Sequence, residues 1–256
     1  MRTIAVDWSG AARPEKVIWL GEVGDGRLGR LENGRSREEI GRHLIARAAH
    51  DAGLVVGLDF AFGVPAWFAS TLGLRVVDEL WEHLAARADV LIAAPEAPFW
   101  GMAGKAAAGL TRERELRRTD RDHPPAKSVF QLVGAGQVGS GTLRGMALLR
   151  TLRNAGFAVW PFDDARLPLV LEIYPRALVG EVVRKDPAER ARWLTRWPEI
   201  DPQLAERAAA SEHAFDAAVS AVVLWRHRAN LLDLRREPEN AFEGRIWSPG
   251  SVGRGQ

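Results

Sequence analysis

Four carboxylates stand alone in apolar surroundings. Asp7 lies in "IAVDWS", Asp59 in "VVGLDFAF", Glu172 in "LVLEIYP" and Asp216 in "HAFDAAVSAVVLW". Burying an ionised carboxylate is costly unless it is paired or binds a metal. Singly, each has a bland explanation. An Asp at a strand end is commonly a turn or cap residue, and Asp216 near a helix start suits the helix dipole. Together they ask for more. If the three strands are neighbours, their ends can converge on one site. Converging carboxylates repel one another without a cation, and hard oxygen donors suit Mg²⁺ or Mn²⁺. A pair of such ions about 4 Å apart can activate water and stabilise the leaving oxygen in phosphodiester cleavage.

Other groups offer weaker chemistry. The six His are scattered, with no H-E-x-x-H spacing, and there is no Cys, which excludes disulfides and Cys-zinc sites. Of 35 basic residues only Lys16, Lys105, Lys127 and Lys185 are Lys. Arginine suits bidentate phosphate recognition, although a GC-rich genome produces the same excess. Between residues 105 and 127 there are seven basic and four acidic residues. Arg112, Arg114, Arg117, Arg118 and Lys127 could hold phosphates there, or form a solvated charged helix with the interleaved acids. Trp8 beside Asp7 could stack on a base, although most of the ten Trp suit a core. His213, three residues before Asp216, could be a general acid or base, or a surface residue. Arg176, after "EIYP", could clamp a phosphate or open a helix. "VGAGQVGSG" (133–141) satisfies G-x-G-x-x-G, a dinucleotide fingerprint, with Asp163 as the following acid. That acid lies 29 positions after Gly134, beyond the usual spacing of about 20 from the motif.

The elements that must position these groups are legible in outline. "TIAVDWS" (3–9) reads as a buried strand, and "KVIWLGEV" (16–23) and "RLGRLE" (27–32) as a hairpin around "GDG". Ser36 and Glu39 form a capping box before a helix that Gly53 ends. "LVVGLDFAF" (54–62) reads as a central strand covered on both faces. A helix follows at 75–88, then a short apolar segment, "VLIAAP". Residues 96–127 read as an irregular insertion or mobile flap. "SVFQLV" (128–133) is strand-like, 142–155 helical, and "FAVWPF" and "PLVLEIYP" are two more strands. The remainder is mostly helical, including an apolar helix from Ser211 to about Leu232, before a tail at 250–256 expected to be disordered. A hairpin start followed by alternating helices and strands implies a mixed α/β sheet in one domain, 1–249. The composition, 46% hydrophobic and 27% charged with a net charge of +2, is that of a globular protein and does not argue for nucleic acid by itself. No apolar run is long enough to span a membrane, and the N-terminus lacks a secretory signal, so a cytoplasmic location is expected.

The arrangement resembles the RNase H-like fold, in which a meander opens the domain and a first-strand acid is joined by acids on a central strand and a late helix. More specifically, the chain resembles a bacterial and archaeal family catalogued as domain of unknown function family 429, described as predicted nucleases of that fold. "AVDWSGA", "VVGLDFAFGVP", "APFW", "LRRTD", "KSVFQLVGAGQVGSGTLRG", "VWPF", "EIYPRA", "HAFDAAVSA" and "EGRIWSP" carry the resemblance. It implies an RNase H-like mixed sheet flanked by helices, with a helical or irregular insertion after the central strand. It implies metal ligation by Asp7, Asp59 and Asp216, with Glu172 as a further catalytic acid. Ser9 and Gly10 would let the backbone approach a phosphate or metal, and Arg118, Lys127 and Arg176 would meet the substrate. The expected activity is Mg²⁺- or Mn²⁺-dependent cleavage of nucleic acid or another phosphodiester. Three alternatives stand beside it. "DWSGA" is loosely similar to the first phosphate loop of the sugar-kinase and actin-like group, which implies phosphoryl transfer. The acids could instead be the remnant of a site in a binding scaffold. A dinucleotide-binding domain is the third.

Overall fold

A computed structural model describes residues 1–101, 106–107, 109–134 and 137–250. The elements in chain order are β1 (Arg2–Asp7), β2 (Trp19–Gly24), β3 (Arg27–Glu32), α1 (Arg37–His50), β4 (Leu54–Leu58), α2 (Ala66–Thr71), α3 (Val77–Ala93), α4 (Arg112–Glu115) and α5 (Arg118–Asp122). They continue with α6 (Val138–Asn154), β5 (Ala158–Val159), β6 (Leu169–Glu172), α7 (Pro175–Val179), α8 (Pro187–Leu194), α9 (Pro202–Ala209) and α10 (Glu212–Arg226). The sheet has six strands in the order β3-β2-β1-β4-β6-β5. β1 pairs antiparallel with β2 and parallel with β4; β4 and β5 both run parallel to β6. The molecule is a mixed α/β protein with helices on both faces of a mixed sheet.

Local signals explain much of this. Asp25 and Gly26 both take positive φ, 51° and 78°, the backbone that a tight two-residue hairpin turn needs between β2 and β3. The Ser36–Glu39 capping box forms as the sequence predicts, and α1 follows it. Period-2 alternation then splits the core. Ile4, Val6, Val56 and Leu58 pack on one face with Leu44 of α1, Leu84 of α3 and Leu149 of α6. Ala5, Val55, Leu169 and Leu171 pack on the other with α10. Close approach of α10 depends on small residues. A Cβ at Gly21 would lie 2.6 Å from the Ala217 carbonyl oxygen, and one at Gly57 would lie 2.8 Å from Leu224 Cδ1. α10 is thus seated deep on the sheet, which is why nearly all its residues are apolar.

Several expectations are corrected. "SVFQLV" is not a strand: Gln131 makes only an isolated parallel bridge with Trp100. Ser128 turns the chain instead, accepting from Phe130 N and donating to Glu115 O. The apolar "VLIA" belongs to α3, which runs on to Ala93. β4 stops at Leu58, leaving Asp59 one residue beyond it. α10 ends at Arg226, with a 3₁₀ turn over Arg228–Asp233. The 96–127 segment contains α4 and α5, and a buried arginine ties it to the sheet edge as described below. Of the expected tail, Ser251–Gln256 lie outside the described residues. No helix among the described residues is long and apolar enough to cross a membrane.

Candidate functional site

Parallel pairing sets β1, β4 and β6 with their C-terminal ends at one sheet edge. Asp7 closes β1 and Glu172 closes β6. Asp59 follows β4 directly, and its N–H donates to Val6 O at 3.0 Å. The register decides what happens next. Val6 pairs with Leu58, so Asp7 and Asp59 are level and leave on the α10 face. Leu58 pairs with Glu172, so Glu172 leaves on the opposite face. Asp216, in the first turns of α10, completes a three-acid cluster with Asp7 and Asp59.

The electrostatics are those of crowded acids. Burial pushes the carboxyl of Asp59 well above its ordinary range, and nearby Asp7 and Asp216 push it further. Burial, then Asp7, lifts Asp216 to about 7. Asp7 is also raised by burial, against the opposing pull of His213 and Arg184, and Asp59 is within hydrogen-bond reach of it. Two basic groups answer the acids. His213 donates from Nδ1 to Asp7 Oδ2 at 2.7 Å, and that bond raises the imidazole above its usual value. Arg184 donates from Nη1 to Asp216 Oδ2. Asp216 Oδ1 is buried and has no hydrogen-bond partner. The three carboxylates have the donor chemistry of a hard divalent cation site, with one buried oxygen unused. As they stand, however, Asp7 and Asp216 are turned to His213 and Arg184. Among the described residues, no group of three or more His, Cys, Asp or Glu side chains is arranged to hold a metal ion.

Glu172 serves another purpose. Arg117 donates to both its oxygens, at 2.9 and 2.6 Å, and Phe62 N donates at 2.8 Å. The same guanidinium donates to both oxygens of Asp120 and to Glu243 O. Burial alone would raise Glu172, and the adjacent Arg117 opposes that rise. This buried knot leaves Glu172 no free oxygen for a metal or water.

A cleft of about 300 Å³ opens between the two groups of acids, lined by Ser9, Gly10, Asp59, Lys127, Tyr174 and His213 and also by Glu172, Arg117 and Asp120, whereas Asp7 and Asp216 lie behind its wall. Ser9, Gly10 and Lys127 line this cleft. The 9–11 loop is held from outside. Arg37 takes the carbonyls of Ser9 and Ala11, and Arg144 that of Gly10, at 2.6 Å. Arg118 and Arg176 do not line the cleft. Both are exposed, and Arg118 is bound through its backbone N–H to Glu243 at 2.7 Å. The Trp8 ring packs on Phe60 and its N–H goes to Gly141 O at 3.0 Å, so it is not free to stack on a base. Arg117, a candidate phosphate holder by sequence, is spent on Glu172 and Asp120, whereas Arg184 and Tyr174 carry no sequence signal that separates them from other loop residues as site residues. Tyr174 is the chain's single Tyr, and that is the one signal that could have drawn attention to it.

The "VGAGQVGSG" segment, apart from Ala135 and Gly136, which lie outside the described residues, leads into α6. A Cβ at Gly139 would lie 2.4 Å from Val129 O, and one at Gly10 would lie 2.5 Å from Gly141 N. Gly139 lets the start of α6 close on the 129–132 segment, and Gly10 lets the 9–11 loop close on α6 at Ser140 and Gly141. No strand precedes them, and Asp163 is taken by Arg153 and Val159 N. That is not the setting of a dinucleotide fingerprint. A larger cavity of 530 Å³ lies by Arg75, Asp78 and Asp163, but its wall charges Asp78 and Asp163 are already paired with Arg153. No family model matches the chain, and neither does any curated protein or solved structure.

Proposed function

We propose that this chain is a divalent-metal-dependent phosphodiesterase or nuclease of RNase H-like architecture, with Asp7, Asp59 and Asp216 as its metal ligands. One observation carries the reading: three carboxylates from β1, the end of β4 and α10 meet on one face of one sheet edge. So costly a cluster is kept where it does chemistry, since strongly displaced acids concentrate at functional sites. A meander followed by parallel strands, with acids on the first strand, a central strand and a late helix, also agrees with the RNase H-like resemblance and with its family of predicted nucleases. When bound, Mg²⁺ or Mn²⁺ would supply charge neutralisation and Lewis acidity at a phosphoryl group. The chain's own residues do the rest. The Ser9–Gly10 backbone and Lys127 bind the anionic group, and the apolar cleft wall with Tyr174 takes the attached sugar or base. His213, fixed on Asp7 through Nδ1, handles a proton at Nε2.

The test is cleavage of DNA, RNA and hybrid substrates by purified protein with and without Mg²⁺, beside Asp7→Asn. Metal-dependent cleavage that the variant lacks supports the reading. Cleavage without metal, or full activity in Asp7→Asn, removes it.

One observation favours a second reading, phosphoryl transfer. The 9–11 loop turns its carbonyls to Arg37 and Arg144 and packs on the start of α6. A loop so held could cradle a nucleotide phosphate. Saturable ATP binding by calorimetry supports it; no binding at millimolar ATP rejects it.

A further inference from the structure

The strap between α7 and α8 carries a cation into the acid cluster. Gly180, at φ 70°, ends α7, and the Asp186 side chain caps α8. Between them the Arg184 carbonyl accepts from buried Arg190, whose Nε also donates to Ala209 O at 2.8 Å. The strap backbone is therefore tethered on the α8–α9 side, and the Arg184 side chain crosses to α10. There it donates from Nη1 to Asp216 Oδ2. No other hydrogen bond of this guanidinium is found among the described residues. Its side chain is 22% exposed, against 8% for that of Asp216. The contact has one point of attachment, and only its arginine end is partly open to solvent. The carboxylate it holds has its other oxygen, Oδ1, buried and unpartnered.

A divalent cation at this cluster would need the same carboxylate that Arg184 occupies. It carries twice the charge, and hard oxygen donors suit it better than they suit a monodentate guanidinium. We propose that Arg184 is an exchangeable counter-ion, holding the acid cluster together without metal and releasing Asp216 when a divalent cation binds. The proposal rests on the metal-dependent reading above and adds a competitor to it. Arg184 is then a positioning residue that sets the cation concentration at which the site loads.

Calorimetric titration of Mn²⁺ into the wild-type protein, Arg184→Gln and Arg184→Lys, without substrate, tests it. Arg184→Gln keeps a polar side chain that still reaches toward α10, and its melting profile without metal verifies folding. The expected result is Mn²⁺ binding roughly tenfold tighter in Arg184→Gln, the scale of losing one exposed charge-assisted competitor. Arg184→Lys, which keeps the charge, should stay near wild type. The thermal shift on adding Mn²⁺ should also be larger in Arg184→Gln. Binding by Arg184→Gln alone supports the proposal in its strongest form. Equal affinities in all three, or weaker binding in Arg184→Gln, overturn it while leaving the metal site standing. No Mn²⁺ binding by any of the three overturns the metal-dependent reading and the proposal with it.

Discussion

Arg117 and Arg184 both neutralise acids at the same sheet edge, yet they are bound in opposite ways. Arg117 spends all five N–H groups on Asp120, Glu172 and Glu243 O, and is 1% exposed. Arg184 makes one hydrogen bond, to one oxygen of Asp216, and is partly exposed. On the Glu172 side every buried oxygen is satisfied, and the guanidinium is held firmly in its charged form by Asp120 and Glu172, despite burial. On the Asp216 side an oxygen is left over, and the carboxyl titrates near neutrality. Two acids at one sheet edge, one closing β6 and one on α10, thus have different fates. A saturated knot fastens a segment to the sheet. An under-satisfied cluster is free to exchange partners, which is what a site needs.

The comparison can be broken most sharply at Arg117. Arg117→Ala leaves Glu172 and Asp120 buried without a partner, and stability should fall by about 3–5 kcal/mol. Urea unfolding measures it, and a loss under about 1 kcal/mol would show that the knot is dispensable. Asp7→Asn comes next. If the cluster is catalytic, turnover on a cleavable phosphodiester should drop at least about a hundredfold, on the order of 3 kcal/mol of transition-state stabilisation, with little change in melting temperature. A matching drop for Glu172→Gln in a protein that remains folded would contradict the separation of the two regions.

The third test is pH. Asp216 titrates near 7 when folded, against an ordinary value of 3.8. Between those values the folded state binds the proton more tightly than the unfolded state. Stability from this group is therefore present below about pH 4 and lost as pH rises toward 7. Asp216→Asn lacks that titration. Measured without divalent cations, it should gain on wild type from pH 5 to pH 8 by on the order of 2 kcal/mol. A constant difference across the window would mean that the cluster is not crowded as described. The smallest effect belongs to Arg184. Arg184→Gln should change metal-free stability by no more than about 1 kcal/mol, as for other partly exposed ion pairs. A loss on the scale of Arg117→Ala would erase the contrast.

Much of the scaffold was legible because its signals are local. The "GDG" hairpin, the Ser36 capping box, the short apolar strands and the apolar α10 depend on neighbours a few residues away. "SVFQLV" misled because alternation alone cannot show whether a partner strand is available. The glycine fingerprint misled for a related reason. Spacing records that the backbone must come close to something, but not whether that is a pyrophosphate or, as for Gly139, the chain's own 129–132 segment.

The sequence by itself determined that four acids would be set in apolar segments, and that three of them would sit at strand ends. Tertiary structure alone decided which acids act together. A single step of register between β4 and β6 sends Glu172 to the face opposite Asp59, because successive side chains on a strand alternate. There it meets Arg117, 55 residues away in sequence, while Asp216 meets Arg184 from a loop 32 residues before it. Such pairings depend on how strands and straps pack in space, and no short-range pattern encodes that.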